Sequence, residues 1–328
     1  GPRSGGHLYA RPRRRERRGS VQLLLGHYDT VWPTGTLDSM PFAVDGDRVR
    51  GPGVYDMKGG LAQLVVALAT LRGLGLEPSV TPVVLVNADE EVGSRESGRH
   101  VRRLARVACR AFVLEPSLGI DGRLKTERKG VARYTVVVHG RAAHAGLDPA
   151  AGASAILELS HVIQALFALN DPARGITVNV GTIDGGLRPN VVAPESRAVV
   201  DVRTRTLADA RAVDAAIRGL LPATPGTSLG IEGGLGRPPL EATPRNRALF
   251  EAAQRLGAEI DLPLDGGLAG GGSDGSTASL LTATLDGLGP VGDGAHAAHE
   301  YLEIGPTLER AALLALLMLA PPASNGES

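Results

Sequence analysis

Three short apolar runs, residues 21–25, 82–86 and 111–114, each lead into side chains with acid or imidazole chemistry. The first meets Gly26 and then His27 and Asp29, the second Asp89, Glu90 and Glu91, and the third Glu115. Each run is too short for a helix and reads as a buried strand, although periodicity alone does not exclude a helical fragment. If the first strand continues to Asp29, His27 and Asp29 face one side, because residues two apart on a strand do so. Helical segments are expected at residues 57–71 and 96–108, between the runs. This alternation predicts an α/β fold, a mostly parallel mixed sheet flanked by helices. In such open sheets ligands bind beyond the carboxyl ends of the strands, where the three runs deliver their acids.

The chain has 328 residues, enough for about two domains. Hydrophobic residues make up 43% but aromatics only 3%, so the core is expected to be mainly Leu, Val and Ala. Lys+Arg and Asp+Glu balance at 35 each, which predicts no polyanionic partner. Arg11, Arg13, Arg14, Arg15, Arg17 and Arg18 crowd together. Without interleaved aromatics they read as a solvated turn rather than a nucleic-acid site. Cys109 is the single cysteine; it is expected to be a buried thiol in a reducing, cytoplasmic compartment. No run approaches the ~18 apolar residues of a membrane span, and no signal-peptide apolar region stands at the N-terminus.

Residues 42–50 look like a hairpin around Asp45-Gly46. The helix at 57–71 is apolar on most faces, which predicts burial. Asp56 stands before it, where an N-cap is the ordinary use of an aspartate. Lys58, Gly59 and Gly60 are poor first-turn residues and suggest close backbone approach. The pattern then changes. Strands at 133–139, 177–182, 197–203 and 228–232 alternate with helices at 151–169 and 207–221. That β-α-β-β-α-β order predicts an inserted ferredoxin-like α+β domain over residues 123–234, interrupting a first domain of residues 1–122 and 235–328. Helices at 247–256 and 308–319, and a short strand at 284–286, complete the second segment.

His27, Asp29, Asp56, Glu90, Glu91, Glu115 and His296 form the strongest candidate constellation. Alone, each is a common turn or cap residue. Clustered carboxylates repel and need a cation, and mixed His and carboxylate ligands suit zinc. Two ions sharing a carboxylate can polarise a carbonyl and activate water. Glu90 and Glu91 are neighbours and point in different directions on an extended chain, so one can bind metal while the other takes a proton.

The motifs HYDTVWP, GPGVYDMKGG, NADEEVGS, VLEPS, GRAAHAG, GGGSDG and GAHAAHE occur in that order. The chain thereby resembles the di-zinc exopeptidase family of glutamate carboxypeptidase, peptidase T, acetylornithine deacetylase, succinyl-diaminopimelate desuccinylase and aminoacylase. The glutamate carboxypeptidase branch is nearest in look. The resemblance implies two Zn2+ per chain, with Co2+ or Mn2+ as substitutes. One ion would take His27, Asp56 and Glu115, the other Asp56, Glu91 and His296, with Asp56 bridging and a cis peptide following it. It also implies Glu90 as general base on a water between the ions, and Asp29 as the residue orienting His27. His144, Asn190 and Arg237, with the Gly271, Gly272 and Ser273 turn, match substrate-holding positions, Arg237 by pairing with a carboxylate. Glu300 is expected to support His296.

The implied reaction is zinc-dependent hydrolysis of the amide of a C-terminal amino acid, with glutamate a first guess, in a peptide or N-acyl amino acid. The alternatives are an N-acyl-amino-acid deacylase using the same site and a non-catalytic peptide-binding relative. A homodimer through the inserted domain is implied, and neither nucleic acid nor membrane is expected as partner. Family members carry more chain ahead of the HYDT motif than the 26 residues that precede His27 here, so one sheet edge is expected to be weakened.

Overall fold

The computed structural model describes residues 4–13 and 19–322; Arg14, Arg15, Arg17 and Arg18 lie outside the described residues. Among the described residues the α-helices are α1 (Gly59–Gly73), α2 (Gly98–Ala105), α3 (Ala155–Phe167), α4 (Leu207–Arg218), α5 (Pro244–Ala258), α6 (Asp274–Ser279) and α7 (Ile304–Leu319). The chain divides into two compact units. One runs to Arg128 and resumes over Leu240–Ala269 and from Ser273 onward; the other is Lys129–Pro239 with Gly270–Gly272.

The first unit is built on a five-stranded sheet in the order Leu8–Ala10, Thr81–Asn87, Val21–His27, Ala108–Val113, Ala283–Leu285. The edge strand Leu8–Ala10 is antiparallel and the others pair in parallel. Leu8–Ala10 pairs along Thr81–Asn87 and forms one edge of the sheet. Alternate side chains of the three apolar runs feed two cores. Leu24, Val84, Val86 and Phe112 pack with α1, α5 and α7, while Leu23, Leu25, Val83, Leu85 and Val113 pack with α2 and α6. Burial on both faces is why these strands read as unbroken apolar runs rather than as alternation. Register then brings the strand ends level. His27 lies opposite Asn87, and the Leu114 N–H donates to the Leu25 carbonyl at 3.0 Å, which leaves Glu115 at the same edge.

Three local expectations change. Helix α1 is half-exposed, with Val65 and Val66 in solvent and Leu64, Ala67 and Leu71 buried; only the face toward the sheet is covered. Asp56 is no N-cap, because Lys58 occupies that position and a separate turn, Val54–Lys58, precedes the helix. Cys109 is exposed, not buried, because its strand starts at Ala108 and the buried stretch begins only at Arg110. The hairpin forms as expected from Ala43–Asp45 and Arg48–Arg50, and Tyr301–Glu303 and Gly292–Asp293 extend it into a four-stranded antiparallel sheet.

The second unit is an antiparallel sheet in the order Ser228–Arg237, Gly130–His139, Glu195–Thr204, Thr177–Gly185. Numbered along the chain, this is the 4-1-3-2 order of a ferredoxin-like unit. Its helices α3 and α4 supply Val162, Leu166, Val213 and Ile217 to a core with Tyr134, Val136 and Val200. Ser154 caps α3 by accepting from the Leu157 N–H, and Thr206 caps α4 by accepting from the Asp209 N–H, so both helix starts are fixed by hydroxyls. Residues 124–128, expected in this unit, belong to the first one, where Leu124–Arg128 pairs in parallel with Gly266–Ala269. Among the described residues no helix is long and apolar enough to cross a membrane.

Candidate metal centre

His27, Asp56, Glu91, Glu115 and His296 meet at the carboxyl edge of the five-stranded sheet. The Asp56 carboxylate faces two ways. Its Oδ1 lies 3.4 Å from His27 Nε2, and its Oδ2 lies 3.4 Å from His296 Nε2. Glu115 Oε1 stands 3.5 Å from His27 Nε2, and Glu91 Oε2 stands 3.3 Å from His296 Nε2. The result is two His–carboxylate triads sharing one aspartate.

The donor set fits divalent cations. Ligands at ~2.0–2.1 Å on a tetrahedral zinc are separated by about 3.3–3.4 Å along each edge, close to the separations seen here. Asp56 Oδ1 and Glu91 Oε1 are buried oxygens with no hydrogen-bond donor, and such atoms are costly unless a cation takes their lone pairs. Atoms of His27, Glu90 and Glu115 lie within 4.8 Å of one another, as do atoms of His27, Asp56 and Glu91, so both glutamates come within reach of His27, and Glu91 also stands close to His296.

Protonation follows the same geometry. Burial opposes charge on His27, but the nearby carboxylates of Asp29, Asp56 and Glu115 outweigh it and hold the ring well above its usual value. Burial likewise opposes ionisation of Asp56, and the two imidazoles overcome it, leaving that carboxyl far below the ordinary range. Burial, reinforced by Asp56, pushes Glu91 up to about 7. The hydrogen bond to Asp56 raises His296 to about 9 against the effect of burial.

Backbone geometry aims these groups. The strand ends at His27, so Asp29 lies beyond it and reaches back instead of sharing its face. Its carbonyl is 3.0 Å and its Oδ1 3.4 Å from His27 Nδ1, while Oδ2 accepts the Glu91 N–H at 3.0 Å. Asp56 sits in the Val54–Lys58 turn ahead of α1, and the Asp56–Met57 peptide is cis. At Gly60 any Cβ would stand 2.1 Å from the Leu114 carbonyl oxygen; only glycine lets α1 start this close to the strand that delivers Glu115. His296 adopts φ 62° and Ser94, just after the Glu90-Glu91 loop, φ 48°. Such left-handed non-glycine residues gather where surrounding structure fixes a functional side chain.

Among the supporting residues, Glu300 was expected beside His296 but serves the Asp56 turn, and Arg128, Asp286 and Lys125 were not anticipated. The Glu300 carboxylate accepts from the N–H groups of Gly53 (2.8 Å), Tyr55 (3.0 Å) and Asp56 (3.0 Å), and from Trp32 Nε1 (3.0 Å). Arg128 is buried and makes a two-pronged contact with Asp286, at 2.7 and 3.0 Å, while its Nη2 donates to Glu115 Oε2 at 3.2 Å. Asp286 follows the strand Ala283–Leu285, a fourth strand ending in an acid, and that pattern was the signal available in the sequence. Lys125 is also buried beside Glu115, Asp286 and Asp56, and burial lowers its pKa.

The residues matched to substrate contacts lie elsewhere in the chain. His144 and Asn190 are exposed neighbours in the second unit: the Ala145 N–H donates to the Asn190 carbonyl at 3.0 Å, and His144 bridges to Val191. Arg237 ends its strand, buried, with its side chain against Gly272; Gly271 precedes Gly272 in the same turn. Ser273 is fully buried, its Oγ donating to Asp286 Oδ2 at 2.6 Å and accepting from the Gly275 N–H. That hydroxyl is turned inward, and the Ser273 N–H and carbonyl are paired with Ser276 at 3.4 and 3.0 Å.

Paired triads at the strand ends of an open α/β sheet define a metallohydrolase class of site. Residues 126–226 match a family model described as the peptidase dimerisation domain of the M20 peptidases. Carboxypeptidase G2 from Pseudomonas sp. (strain RS-16) is 30% identical over 318 residues, covering 92% of this chain and 74% of that protein. Acetylornithine deacetylase from Myxococcus xanthus is 32% identical over 193 residues, 55% of this chain and 48% of that protein. Among solved structures, the aminopeptidase PepT from Bacillus cereus ATCC 10987 superposes with a TM-score of 0.76 at 19% identity, over 96% of this chain and 84% of that one. A dinuclear metal-binding M20 peptidase from Bacillus subtilis gives 0.65 at 14% identity, over 95% and 84%; at these identities the two structures show the fold alone. The chain belongs to the M20 peptidase family, and it is a hydrolase of the metallopeptidase kind.

Proposed function

We propose that the protein is a two-zinc carboxypeptidase that hydrolyses the amide joining a C-terminal amino acid, glutamate first among candidates, to a peptide or N-acyl group. The observation that carries this reading is Asp56, with one carboxylate oxygen toward each imidazole. His27, Asp56 and Glu115 would hold one ion and Asp56, Glu91 and His296 the other. When bound, the ions would supply polarisation of the scissile carbonyl and a water of lowered pKa. Glu90 takes the proton of the attacking water and passes it to the leaving nitrogen as the C–N bond breaks, which yields a carboxylate and a free amine. Asp29 holds Nδ1 of His27 and so fixes which ring nitrogen faces the centre. Arg237 pairs with the substrate carboxylate, Asn190 and the Gly271-Gly272-Ser273 turn orient it, and His144 reaches the partner subunit's centre to stabilise the developing oxyanion there. The family model's description supports a homodimer formed through the second unit.

The similarity to acetylornithine deacetylase favours one further reading, removal of an N-acyl group by the same centre. The deciding experiment measures zinc content together with hydrolysis of benzoyl-glutamate and of an N-acetyl amino acid, before and after chelation. Two zinc per chain and chelator-sensitive glutamate release are expected. Preference for the N-acetyl substrate would select the deacylase, and no zinc with no hydrolysis would reject both.

A further inference from the structure

The opening residues of α6 lie next to the glycine turn that sequence similarity links to substrate, yet their side chains point the other way. Asp274 is buried, and its carboxylate accepts from Asn87 Nδ2 and, at 2.6 Å, from Ser94 Oγ. Asn87 is the last residue of its strand, and Ser94 is the first residue after the loop that bears Glu90 and Glu91. One carboxylate therefore grips both ends of residues 88–93. The loop has other internal ties, from the Gly93 N–H to the Glu90 carbonyl (2.8 Å) and from the Ser94 N–H to the Asp89 carbonyl (2.6 Å). These fix its own curl. Other ties run from the N–H groups of Glu96 (2.8 Å) and Ser97 (3.2 Å) to Asp89 Oδ2, from the Ala88 N–H to His7 Nδ1 (3.4 Å), and from the Glu91 N–H to Asp29, while Asp274 joins both loop ends to the start of α6. Next door, Ser273 holds Asp286, Asp286 holds Arg128, and Arg128 holds Glu115.

We infer that Asp274 is a positioning residue for the centre. By clamping Asn87 and Ser94 it sets where Glu90 and Glu91 stand relative to Asp56 and His296, and through Ser273 the same turn ties that loop to the Glu115 arm. The inference rests on the proposed roles of Glu90 and Glu91. A carboxylate suits the task because it accepts at both oxygens, whereas a carboxamide in its place would offer one acceptor and one misplaced donor. Partners that orient metal-binding groups typically cost about 10–100-fold in metal affinity or activity when removed.

The test compares parent, Asp274→Ala, Ser94→Ala and the double variant by zinc titration calorimetry, circular dichroism and steady-state kinetics. Asp274→Ala is expected to keep its circular dichroism spectrum, to weaken the second zinc by about tenfold or more, and to lower kcat with KM little changed. Ser94→Ala, which removes a single grip, is expected to move the same quantities less. The double variant should lose no more than Asp274→Ala alone, since both changes break one contact. Parent zinc affinity and kcat in a folded Asp274→Ala would overturn the inference, as would losses that simply add or that fall on KM alone. Should Asp274→Ala not fold, Ser94→Ala decides by the same two readouts. The zinc titration reads the positioning role without any substrate, so weakened zinc in a protein that hydrolyses neither test substrate would support this inference while rejecting the proposed activity.

Discussion

Glu90 and Glu91 carry different proposed tasks, base and metal ligand, although both come within reach of His27. Glu91 stands 3.3 Å from His296, while Glu90 shares the neighbourhood of His27 and Glu115. Replacing Glu90 with Gln keeps size and removes the base, so the variant should retain both zinc ions and lose about 10²–10⁴ in kcat. Zinc analysis beside turnover checks this, and parent turnover in the variant would reject Glu90 as the base. Proton competition adds a second expectation at the same scale. Without metal, Glu91 titrates at about 7 and His296 at about 9, both above their ordinary values. Both groups therefore carry protons at pH 6, and a cation must displace them. Zinc affinity should climb from pH 6 to pH 8, with at least two protons released per chain at the acid end. Calorimetry in buffers of differing ionisation enthalpy would show it; an affinity independent of pH over that range would contradict it.

Among the elements, the contact between α1 and the Glu115 strand is the least forgiving. A Cβ on Gly60 meets the Leu114 carbonyl oxygen at 2.1 Å, and a backbone oxygen cannot rotate aside as a side chain can. Alanine would gain about 1 kcal/mol in helix propensity. Overpacking of a tight contact costs about 1–3 kcal/mol, and the displaced helix start also carries the Asp56 turn. Gly60→Ala should thus lower Tm and weaken zinc together, and a variant as stable as the parent would show the approach to be looser than described. The same elements show what sequence could reveal. Strands Val21–His27 and Thr81–Asn87 were legible because burial on both faces makes each a continuous apolar run. The pairing of Leu124–Arg128 with Gly266–Ala269 was not, because the partner lies far along the chain and neither segment has a distinctive pattern. Gathering of His27, Glu91 and Glu115 at one edge could be read from where the runs stop, whereas Asp56 and His296 entered the set as ligands through the family resemblance. The supports could not: Glu300 and Arg128 act through backbone N–H groups and buried ion pairs that only the folded chain brings together.

For the whole molecule, the two units differ in what metal can do for them. Each has its own apolar core, and every candidate metal ligand belongs to the first. A ligand that binds only folded protein stabilises the part that holds it, by about 4 kcal/mol at a thousandfold excess over Kd. The second unit gains nothing directly. It brings a compact sheet, α3 and α4, with helix starts capped by Ser154 and Thr206 in place of any ion. Scanning calorimetry of the zinc-loaded protein, before and after chelation, should therefore show two responses. The transition of the first unit should fall by roughly 8–16 °C for each ion removed, taking about 2–4 °C per kcal/mol for a unit of this size. The transition of the second unit should stay in place, and refilling with zinc should restore the first alone. Equal shifts of both, or a single transition moving as one, would mean that the units unfold together and that the centre stabilises the whole chain.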